Sequence, residues 1–263
     1  MTKIDNRWYG PWALITGASS GIGEEFARQA AASGLNVVLV ARREQRLEQL
    51  RAELTATYGI QARVIAADLT RDGLLDTLTS ATDDLDIGLV VSNAGTGNPG
   101  EFLSIPRQRL REIVNINVLA HLDLAHHFGR KLAQRGRGGI VLVSAAAAAG
   151  GLPYMANDSA TKAYVLNLGE ALNAELHPAG VHVTVLVPVL VATPVLARMG
   201  IDPAQLPIAP MPVAQCVEQT LEALDANQPT TITRSKMVAA LDGMKANIVH
   251  AITQRTAAGN AAH

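Results

Sequence analysis

The stretch Thr16-Gly17-Ala18-Ser19-Ser20-Gly21-Ile22-Gly23 decides the fold of this chain, because it joins a short apolar run to a helical pattern. Gly17 permits a tight turn off the strand, Gly21 lets a phosphate approach the backbone, and Gly23 lets the helix lie close to the sheet. The free N–H groups of the helix N-terminus then face an anion. This strand–turn–helix context predicts a dinucleotide-binding loop. Its predicted cofactor-binding residues are Gly17, Ser19, Ser20, Gly21, Ile22 and Gly23.

Outward from this loop, short runs rich in Val, Leu and Ile alternate with helical patterns. Strands are predicted at residues 12–16, 36–40, 63–67, 87–91, 139–144, 182–187 and 230–234. Helices are predicted at residues 21–33, 43–58, 71–81, 107–135, 159–177, 213–226 and 236–256. The strands lack strict alternation, as expected when both faces of a parallel sheet are buried. The pattern predicts an α/β fold with one doubly wound parallel sheet and helices on both faces.

Composition narrows the class of protein further. The chain has 263 residues, of which 48% are hydrophobic and 3% aromatic, which suits a single domain over 1–263 with an aliphatic core. Its net charge of −1, without charge runs, argues against nucleic-acid and polybasic membrane partners. The lone Cys216 excludes a disulfide framework and reads as a small buried helix residue. We find no signal-peptide pattern, no membrane-spanning run and no metal site, and we expect a cytoplasmic protein.

The C-terminal part departs from the strand–helix alternation. Prolines recur through residues 189–212, which predicts a substrate loop, and its Met, Ile and Leu residues suggest a small apolar ligand. Residues 236–263 are predicted to form a C-terminal helix that ends in a frayed tail.

The ends of the second, third and fourth predicted strands indicate how the adenosine part of a dinucleotide binds. Arg42 and Arg43 follow a strand where an NAD-binding protein usually offers a carboxylate, so they indicate NADP(H) in preference to NAD(H), with the Ser19 hydroxyl assisting. Asp68 either accepts from the adenine amino group or caps the following helix. The other residues predicted to contact the cofactor here are Leu69, Asn93, Ala94 and Gly95.

These motifs, in this order, resemble the short-chain dehydrogenase/reductase family along nearly the whole chain. The matching pieces are TGASSGIG at 16–23, ARR at 41–43, DL at 68–69, SNAG at 92–95, VNINVLA at 114–120, IVLVS at 140–144, SATKAY at 159–164 and PVLVAT at 188–193. The resemblance implies a sheet of about seven strands in the order 3-2-1-4-5-6-7. It also implies an NAD(P)(H)-dependent carbonyl or alcohol reaction on a small molecule, in a homodimer or homotetramer packed through the helices at 107–135 and 159–177.

The resemblance also assigns roles at the reacting end. It implies that Ser144 holds the substrate oxygen, Asn117 anchors a proton-relay water, and Lys162 binds the nicotinamide ribose. Val191 and Thr193 are implied to contact the nicotinamide amide and the phosphate. His121, His126 and His127 lack a carboxylate at ligand spacing and are interpreted as solvated or interface residues.

The chain departs from the family where its tyrosine proton donor is expected, because Asp158 stands there. Lys162 lies one helical turn later, which predicts an ionised Asp158 with a lowered pKa. A second departure is Val189, in place of a glycine, where a side chain narrows the space for the nicotinamide. Tyr154, in the preceding loop, either is an alternative proton donor or is an aromatic residue that lines the pocket.

Three functional interpretations follow. The first is an NADP(H)-dependent oxidoreductase acting on a carbonyl, alcohol or imine, with a proton relay altered at Asp158. The second is a redox-inactive enzyme that uses Asp158, Lys162 and Ser144 for dehydration, isomerisation, aldol or cyclisation chemistry. The third is a non-catalytic binding subunit or an inactivated variant.

Overall fold

The computed structural model describes residues 4–71, 73–193 and 209–242. The strands in this part of the chain are β1 (Trp12–Thr16), β2 (Asn36–Ala41), β3 (Ala62–Ala66), β4 (Ile87–Ser92), β5 (Gly138–Val143) and β6 (Val181–Leu186). They form one sheet in the order β3-β2-β1-β4-β5-β6, and every neighbouring pair is parallel. The predicted α/β class and strand order are confirmed. The order reverses between β1 and β4, and in such sheets ligands bind in the crevice at the carboxyl ends of the strands.

Helices cover both faces of this sheet. The α-helices of the described residues are α1 (Asn6–Tyr9), α2 (Gly21–Ala32), α3 (Glu44–Tyr58), α4 (Leu74–Thr82), α5 (Arg107–Val114), α6 (Ala120–Arg135), α7 (Ala156–Leu176) and α8 (Val213–Asp225). Short 3₁₀ turns lie at Phe102–Ser104, Ala146–Ala149 and His177–Ala179. Residues 234–242 are also helical. None of the helices described is long and apolar enough to cross a membrane.

The apolar core consists of two layers, one on each face of the sheet. On one face, Phe26 of α2 and Leu47 of α3 pack with Val217 of α8 against the inner strands. On the other face, α4 and α6 cover the first half of the sheet, while Val165 of α7 packs with β5 and β6. Cys216 is buried in α8, as the sequence predicts, and burial raises the pKa of its thiol to about 11. These layers hold the strand ends rigidly, which fixes the crevice at the carboxyl edge.

The seventh strand, predicted at 230–234, is the largest difference from expectation. Only Thr230 pairs with the sheet, through an isolated parallel bridge to Val185 of β6. Beyond it, the Thr231 hydroxyl accepts the Val187 N–H at 3.1 Å, so a side chain replaces the next backbone partner. The helical residues begin at Arg234, which ends the pairing. The segment lies beside β6, where a seventh strand belongs in the predicted order, but it does not form a strand.

The predicted helix at 107–135 is three segments in the structure. A π-helical turn, Asn115–Leu119, connects α5 to α6 without breaking the helical path. Such turns insert one extra residue and often occur at functional sites. Here the turn carries Asn117, which is fully buried.

Several predicted boundaries also differ. The helix predicted at 71–81 begins at Leu74, after Gly73 in a left-handed conformation (φ 78°). Of the substrate loop predicted at 189–212, residues 194–208 lie outside the described part of the chain. Its two ends meet where Val191 forms a parallel bridge with Met211. Residues 243–263, which include most of the predicted C-terminal helix and tail, also lie outside the described residues.

Candidate functional site

The phosphate loop has the backbone geometry that an anion requires. Gly17 and Gly21 adopt positive φ angles of 69° and 61°, which only glycine takes at little cost. A side chain on Gly23 would collide with the Gly17 carbonyl and with Asn93. Ser20 precedes α2 without capping it through its side chain, so the first N–H groups of the helix remain available to an anion.

Asn93 connects the carboxyl ends of β4 and β1. Its Nδ2 donates to the Thr16 carbonyl at 2.9 Å, and its own N–H donates to the Thr16 hydroxyl at 2.9 Å. The Ala94 N–H donates to the same hydroxyl at 3.0 Å. These hydrogen bonds fix the backbone at the floor of the crevice without a ligand. Gly95, which follows Ala94 in the chain, is exposed.

Arg43 is held over the phosphate loop. Its guanidinium donates to the Ser19 hydroxyl from Nε at 3.2 Å and from Nη2 at 2.9 Å. The same Nη2 donates to the Ser19 carbonyl at 3.1 Å and to the Ser20 hydroxyl at 2.8 Å. The Arg43 guanidinium, which is exposed and always charged, thus lies beside the phosphate loop, where it can bind a further phosphate. The structure brings Arg43, Ser19 and Ser20 together as the sequence predicts.

Asp68 and Leu69 lie at the third strand end. The Asp68 carboxylate accepts from the Thr70 N–H at 3.1 Å and from its hydroxyl at 2.8 Å, so it shapes a local turn and does not cap α4. Burial opposes ionisation, but these bonds and the charges of Arg42 and Arg71 lower the pKa of Asp68. Leu69 is buried beneath this turn. Of the two interpretations left open by the sequence, the helix-cap interpretation is wrong, and the adenine contact stays a prediction.

At the reacting end, Lys162 and Asn117 converge beside Gly95. A side chain on Gly95 would lie 3.2 Å from both Asn117 Oδ1 and Lys162 Nζ, so only glycine leaves this space free. Lys162 Nζ donates to the Val143 carbonyl at 3.2 Å. Burial lowers the pKa of Lys162 to about 8, although the charge of Asp158 acts in the opposite direction. The ammonium is therefore only partly protonated just above neutral pH.

The Asn117 side chain makes three hydrogen bonds to protein groups, which use both of its donors. Its Oδ1 accepts the Thr96 N–H at 3.0 Å, and its Nδ2 donates to the Thr96 carbonyl at 2.9 Å and to the Thr161 hydroxyl at 3.1 Å. It thereby links the π-helical turn to α7 and to the chain after β4. Asn115 points elsewhere and donates to the Thr70 carbonyl at 2.9 Å.

Asp158 is 5% exposed and faces the loop after β4. Its Oδ2 accepts the Asn98 N–H at 3.3 Å, while its Oδ1 is buried without a hydrogen-bond partner. Although Asp158 and Lys162 share a face of α7, they form no ion pair among those found in the described residues. Burial raises the pKa of Asp158, and this effect exceeds the opposing hydrogen bond and the charges of Lys162 and Arg109. The expected lowering of this pKa by Lys162 is wrong, because desolvation outweighs the nearby charges.

Ser144 is turned towards the backbone of α7. Its Oγ donates to the Lys162 carbonyl at 2.7 Å, and only 2% of the residue is exposed. The next residue, Ala145, has extended backbone angles (φ −163°, ψ 165°), so its side chain points to the opposite side. Ala145 is partly exposed and offers only a methyl group. In this conformation, the hydroxyl expected to hold a substrate oxygen is committed to the protein.

Tyr154 and the ends of the substrate loop complete this side of the groove. Tyr154 is partly buried, has a positive φ of 62°, and accepts the Gly100 N–H with its carbonyl oxygen at 2.8 Å. Val189 is 42% exposed, whereas Val191 is buried with the core. The Thr193 N–H donates to the Val191 carbonyl at 2.8 Å. The cofactor contacts expected of Val191 and Thr193 stay predictions.

His121 is a buried residue whose position the sequence interpretation missed. It is fully buried, and its Nδ1 lies 2.9 Å from the Ser92 Oγ, while its Nε2 has no partner. Burial, followed by the charge of Lys162, lowers the pKa of His121 to about 3, so the ring is neutral. The interpretation as a solvated or interface residue is wrong for His121. The spacing of four residues from Asn117, which places both on one helix face, was the available signal. His126 is exposed and His127 partly buried.

The comparisons with known proteins agree with this geometry. A family model described as short chain dehydrogenase matches residues 11–203. A 7beta-hydroxysteroid dehydrogenase of Collinsella aerofaciens is 34% identical over 220 residues, which cover 82% of this chain and 83% of that protein. A solved short-chain dehydrogenase from Sphingobium yanoikuyae, in complex with NADPH, is similar with a TM-score of 0.80 and 33% identity, covering 92% of this chain and 95% of that one.

One relative bears on activity. The human inactive hydroxysteroid dehydrogenase-like protein 1 is 33% identical over 193 residues, which cover 72% of this chain and 58% of that protein. Similarity of this degree therefore extends both to named dehydrogenases and to a protein named as inactive. No group of three or more His, Cys, Asp or Glu residues that could hold a metal ion occurs in the part of the chain the structure describes.

Proposed function

The chain belongs to the short-chain dehydrogenase family, and we propose that it is an NADP(H)-dependent oxidoreductase acting on a carbonyl, alcohol or imine of a small apolar molecule. The observation that carries this proposal is the preassembled phosphate loop with Arg43 held over Ser19 and Ser20. The glycine backbone, the open N-terminus of α2 and the guanidinium fork fit a dinucleotide with an additional phosphate. The relative solved with NADPH supports the same choice.

The residues of the reacting end fit the nicotinamide side of this cofactor. NADP(H) supplies or accepts the hydride when bound. Gly95 leaves room beside Lys162, whose ammonium would donate to a ribose hydroxyl, and Asn117 lies in the π-helical turn beside it. The substrate class is proposed from the apolar loop residues and from the hydroxysteroid named for the bacterial relative.

The proton relay is altered at Asp158 because no phenol stands there. A carboxyl group whose pKa is raised by burial can hold or release a proton closer to neutral pH than an ordinary aspartate. The Asp158 side chain is short, and it accepts a hydrogen bond from the Asn98 N–H. For both reasons, the carboxyl group would not reach a substrate bound beside Lys162. We therefore expect slow turnover of simple ketones, by about 10²–10⁴-fold relative to an enzyme with a positioned acid.

The test has two stages. NADPH and NADH are titrated by nicotinamide fluorescence or calorimetry, and tighter binding of NADPH is expected because Arg43 can pair with its 2′-phosphate. Consumption of NADPH is then measured with panels of bulky ketones, the matching imines, and, in the reverse direction, alcohols with NADP⁺. Equal or tighter binding of NADH contradicts the cofactor assignment, and no turnover with any panel contradicts the redox assignment.

A second candidate function is a redox-inactive protein of the same family, either an acid–base enzyme or a binding subunit. It is favoured by the commitment of Ser144 Oγ and Asp158 Oδ2 to main-chain groups, which leaves few side-chain donors for a substrate oxygen. The human relative named as inactive supports it. Tight NADPH binding without turnover of any carbonyl, imine or alcohol would select this candidate.

We also propose that the chain forms a homodimer or homotetramer through its long helices, as members of this family are expected to do. The partly exposed Tyr164 on α7, at 40% exposure, is available for such a contact. Light scattering at micromolar concentration measures the oligomeric state, and a monomer contradicts this proposal.

A further inference from the structure

The residues that follow Gly95 form a short segment, Thr96 to Gly100, at the carboxyl edge of the sheet beside Lys162. We call it the 96–100 segment. Three residues expected to be catalytic bind it: Asn117 bonds the N–H and the carbonyl of Thr96, Asp158 accepts the Asn98 N–H, and Tyr154 accepts the Gly100 N–H with its carbonyl. Gly97 and Pro99 are exposed between these ties. The side chains of Asn117 and Asp158, which were expected to face a substrate, thus bind the 96–100 segment, and Tyr154 binds it through its backbone.

Asp158 fits this segment closely. A Cβ on Gly97 would lie 3.2 Å from the Asp158 Oδ1 and 3.6 Å from its Cγ, so the backbone of Gly97 covers the carboxylate. Arg109, whose charge also acts on Asp158, pairs with Glu112 at 3.2 Å and reaches the Thr96 hydroxyl at 3.4 Å. Asp158 is not paired with Lys162 in the described structure, so its strongest contact is the Asn98 N–H.

We propose that Asp158 is a positioning residue, whose carboxylate anchors the 96–100 segment to the start of α7 and so sets the width of the substrate side of the groove. An acceptor oxygen, and not an acidic proton, is what this role requires. The Asp158 carboxylate thus contacts the 96–100 segment of its own chain in place of a substrate. The inference rests on the proposed function only where turnover is measured, since the anchoring itself is a property of the protein alone.

The first test is amide hydrogen exchange of the full chain, comparing Asp158→Ala with Asp158→Asn. Asparagine keeps a carbonyl oxygen that can accept the Asn98 N–H, whereas alanine keeps none. We expect the amides of Thr96, Gly97 and Asn98 to exchange about fivefold faster or more in Asp158→Ala, since one hydrogen bond is lost. In Asp158→Asn, they should stay within about twofold of wild type. The amides of β4 serve as the internal control for global stability.

Two outcomes of that comparison overturn the proposal. One is unchanged exchange of the 96–100 segment in Asp158→Ala. The other is equally fast exchange in Asp158→Asn and Asp158→Ala, which would show that the charge and not the acceptor matters.

A second pair of variants leaves Asp158 in place. Gly97→Ala puts a methyl group against the carboxylate and should loosen the Asn98 bond, giving the same faster exchange. Gly100→Ala is the matched control, because its methyl group would meet only Ile105, at 3.9 Å and beyond. If both variants, or neither, change the exchange of Asn98, the anchoring role is wrong. This pair decides the question even if Asp158→Ala fails to fold.

Turnover separates positioning from proton transfer. With a substrate found by the panels above, Asp158→Ala should raise KM more than it lowers kcat, and Asp158→Asn, which keeps an acceptor oxygen, should raise KM less than Asp158→Ala does. A hundredfold loss of kcat in Asp158→Asn with unchanged exchange would assign proton transfer to Asp158 and overturn the positioning role. If the wild type binds no NADPH at all, the proposed function fails, but the exchange results still stand.

Discussion

The two ends of the cofactor groove use their polar side chains in opposite ways. At the phosphate end, Arg43 is exposed, and the hydrogen bonds of its guanidinium go to the loop that would carry the ligand, from Nε and Nη2. At the reacting end, Asn117, Ser144 and Asp158 are each at least 95% buried and bonded to main-chain groups of the protein. The phosphate end binds through backbone geometry, which this chain keeps. The polar side chains of the reacting end instead form hydrogen bonds within the protein.

The largest expected effect tests whether the reacting end lacks only its acid. Asp158→Tyr supplies a phenol one helical turn before Lys162, and we expect the rate of ketone reduction to rise by about 10²–10⁴-fold. Asp158→Phe is the matched control, because it adds the ring and removes the carboxylate without supplying a proton donor. NADPH oxidation under saturating cofactor is the measurement. Brisk turnover by the wild type that the tyrosine variant slows would show that the carboxylate has a positive redox role.

The same experiment extends to the residue after Ser144. Ser144 bonds the Lys162 carbonyl, and Ala145 points the other way, so adding Ala145→Ser to Asp158→Tyr should supply a hydroxyl that can hold the substrate oxygen. We expect a further gain of about tenfold, in line with one added donor to a developing oxyanion. If Ala145→Ser adds nothing while Ser144→Ala abolishes the gain, then Ser144 turns towards the substrate during the reaction.

The second prediction concerns the phosphate end. Arg43→Ala should weaken NADPH binding by about 10–100-fold and leave NADH binding within about twofold, because a charge-assisted pair to one phosphate is lost. Arg51→Ala is the matched control, since Arg51 lies on α3, the helix that begins after Arg43, and pairs with Glu48 at 2.6 Å. Calorimetric titration measures both cofactors. An equal loss for NADPH and NADH would mean that Arg43 shapes the loop and does not read the 2′-phosphate.

The fold and the phosphate end could be predicted from the sequence because their requirements fall on particular residue types. The glycines of the loop leave no alternative to a tight turn against a helix, and Asn93 at the end of β4 does bridge to Thr16. The parallel, doubly wound sheet followed from strands joined by helices, whereas the strand order was implied by the resemblance to the family. The segment at 230–234 was predicted as a strand from its β-branched residues, but the Thr231 hydroxyl took the place of a backbone partner.

The reacting end could not be predicted in the same way because it depends on where side chains point. The spacing placed Asp158 and Lys162 on one helix face. It did not show that the carboxylate would accept the Asn98 N–H and lie against Gly97, without an ion pair to Lys162. The direction of the Ser144 hydroxyl likewise follows from packing of β5 against α7. The burial of His121 follows from its place after the π-helical turn, and its spacing of four residues from Asn117 was a signal that the sequence interpretation did not use.

The smallest expected effect is on the free energy of unfolding, because burying the Asp158 carboxylate has a cost. Because the pKa of Asp158 is raised in the folded protein, the protonated carboxyl stabilises the fold below the unfolded pKa of about 3.9, and this contribution is lost as pH rises through the folded pKa. Above its folded pKa, the wild type therefore holds a buried charge with one unpartnered oxygen, while Asp158→Asn holds a neutral group of the same shape.

We expect Asp158→Asn to be more stable than the wild type by about 1 kcal/mol at pH 8, a rise in Tm of about 2–4 °C, and equal to it near pH 4. Asp83→Asn is the control, since that carboxylate is 85% exposed and should change little at either pH. Thermal unfolding across this pH range gives the comparison directly. A variant less stable than the wild type at pH 8 would mean that the Asp158 charge is favourably paired within the protein, which would contradict a net cost of burying it at the reacting end.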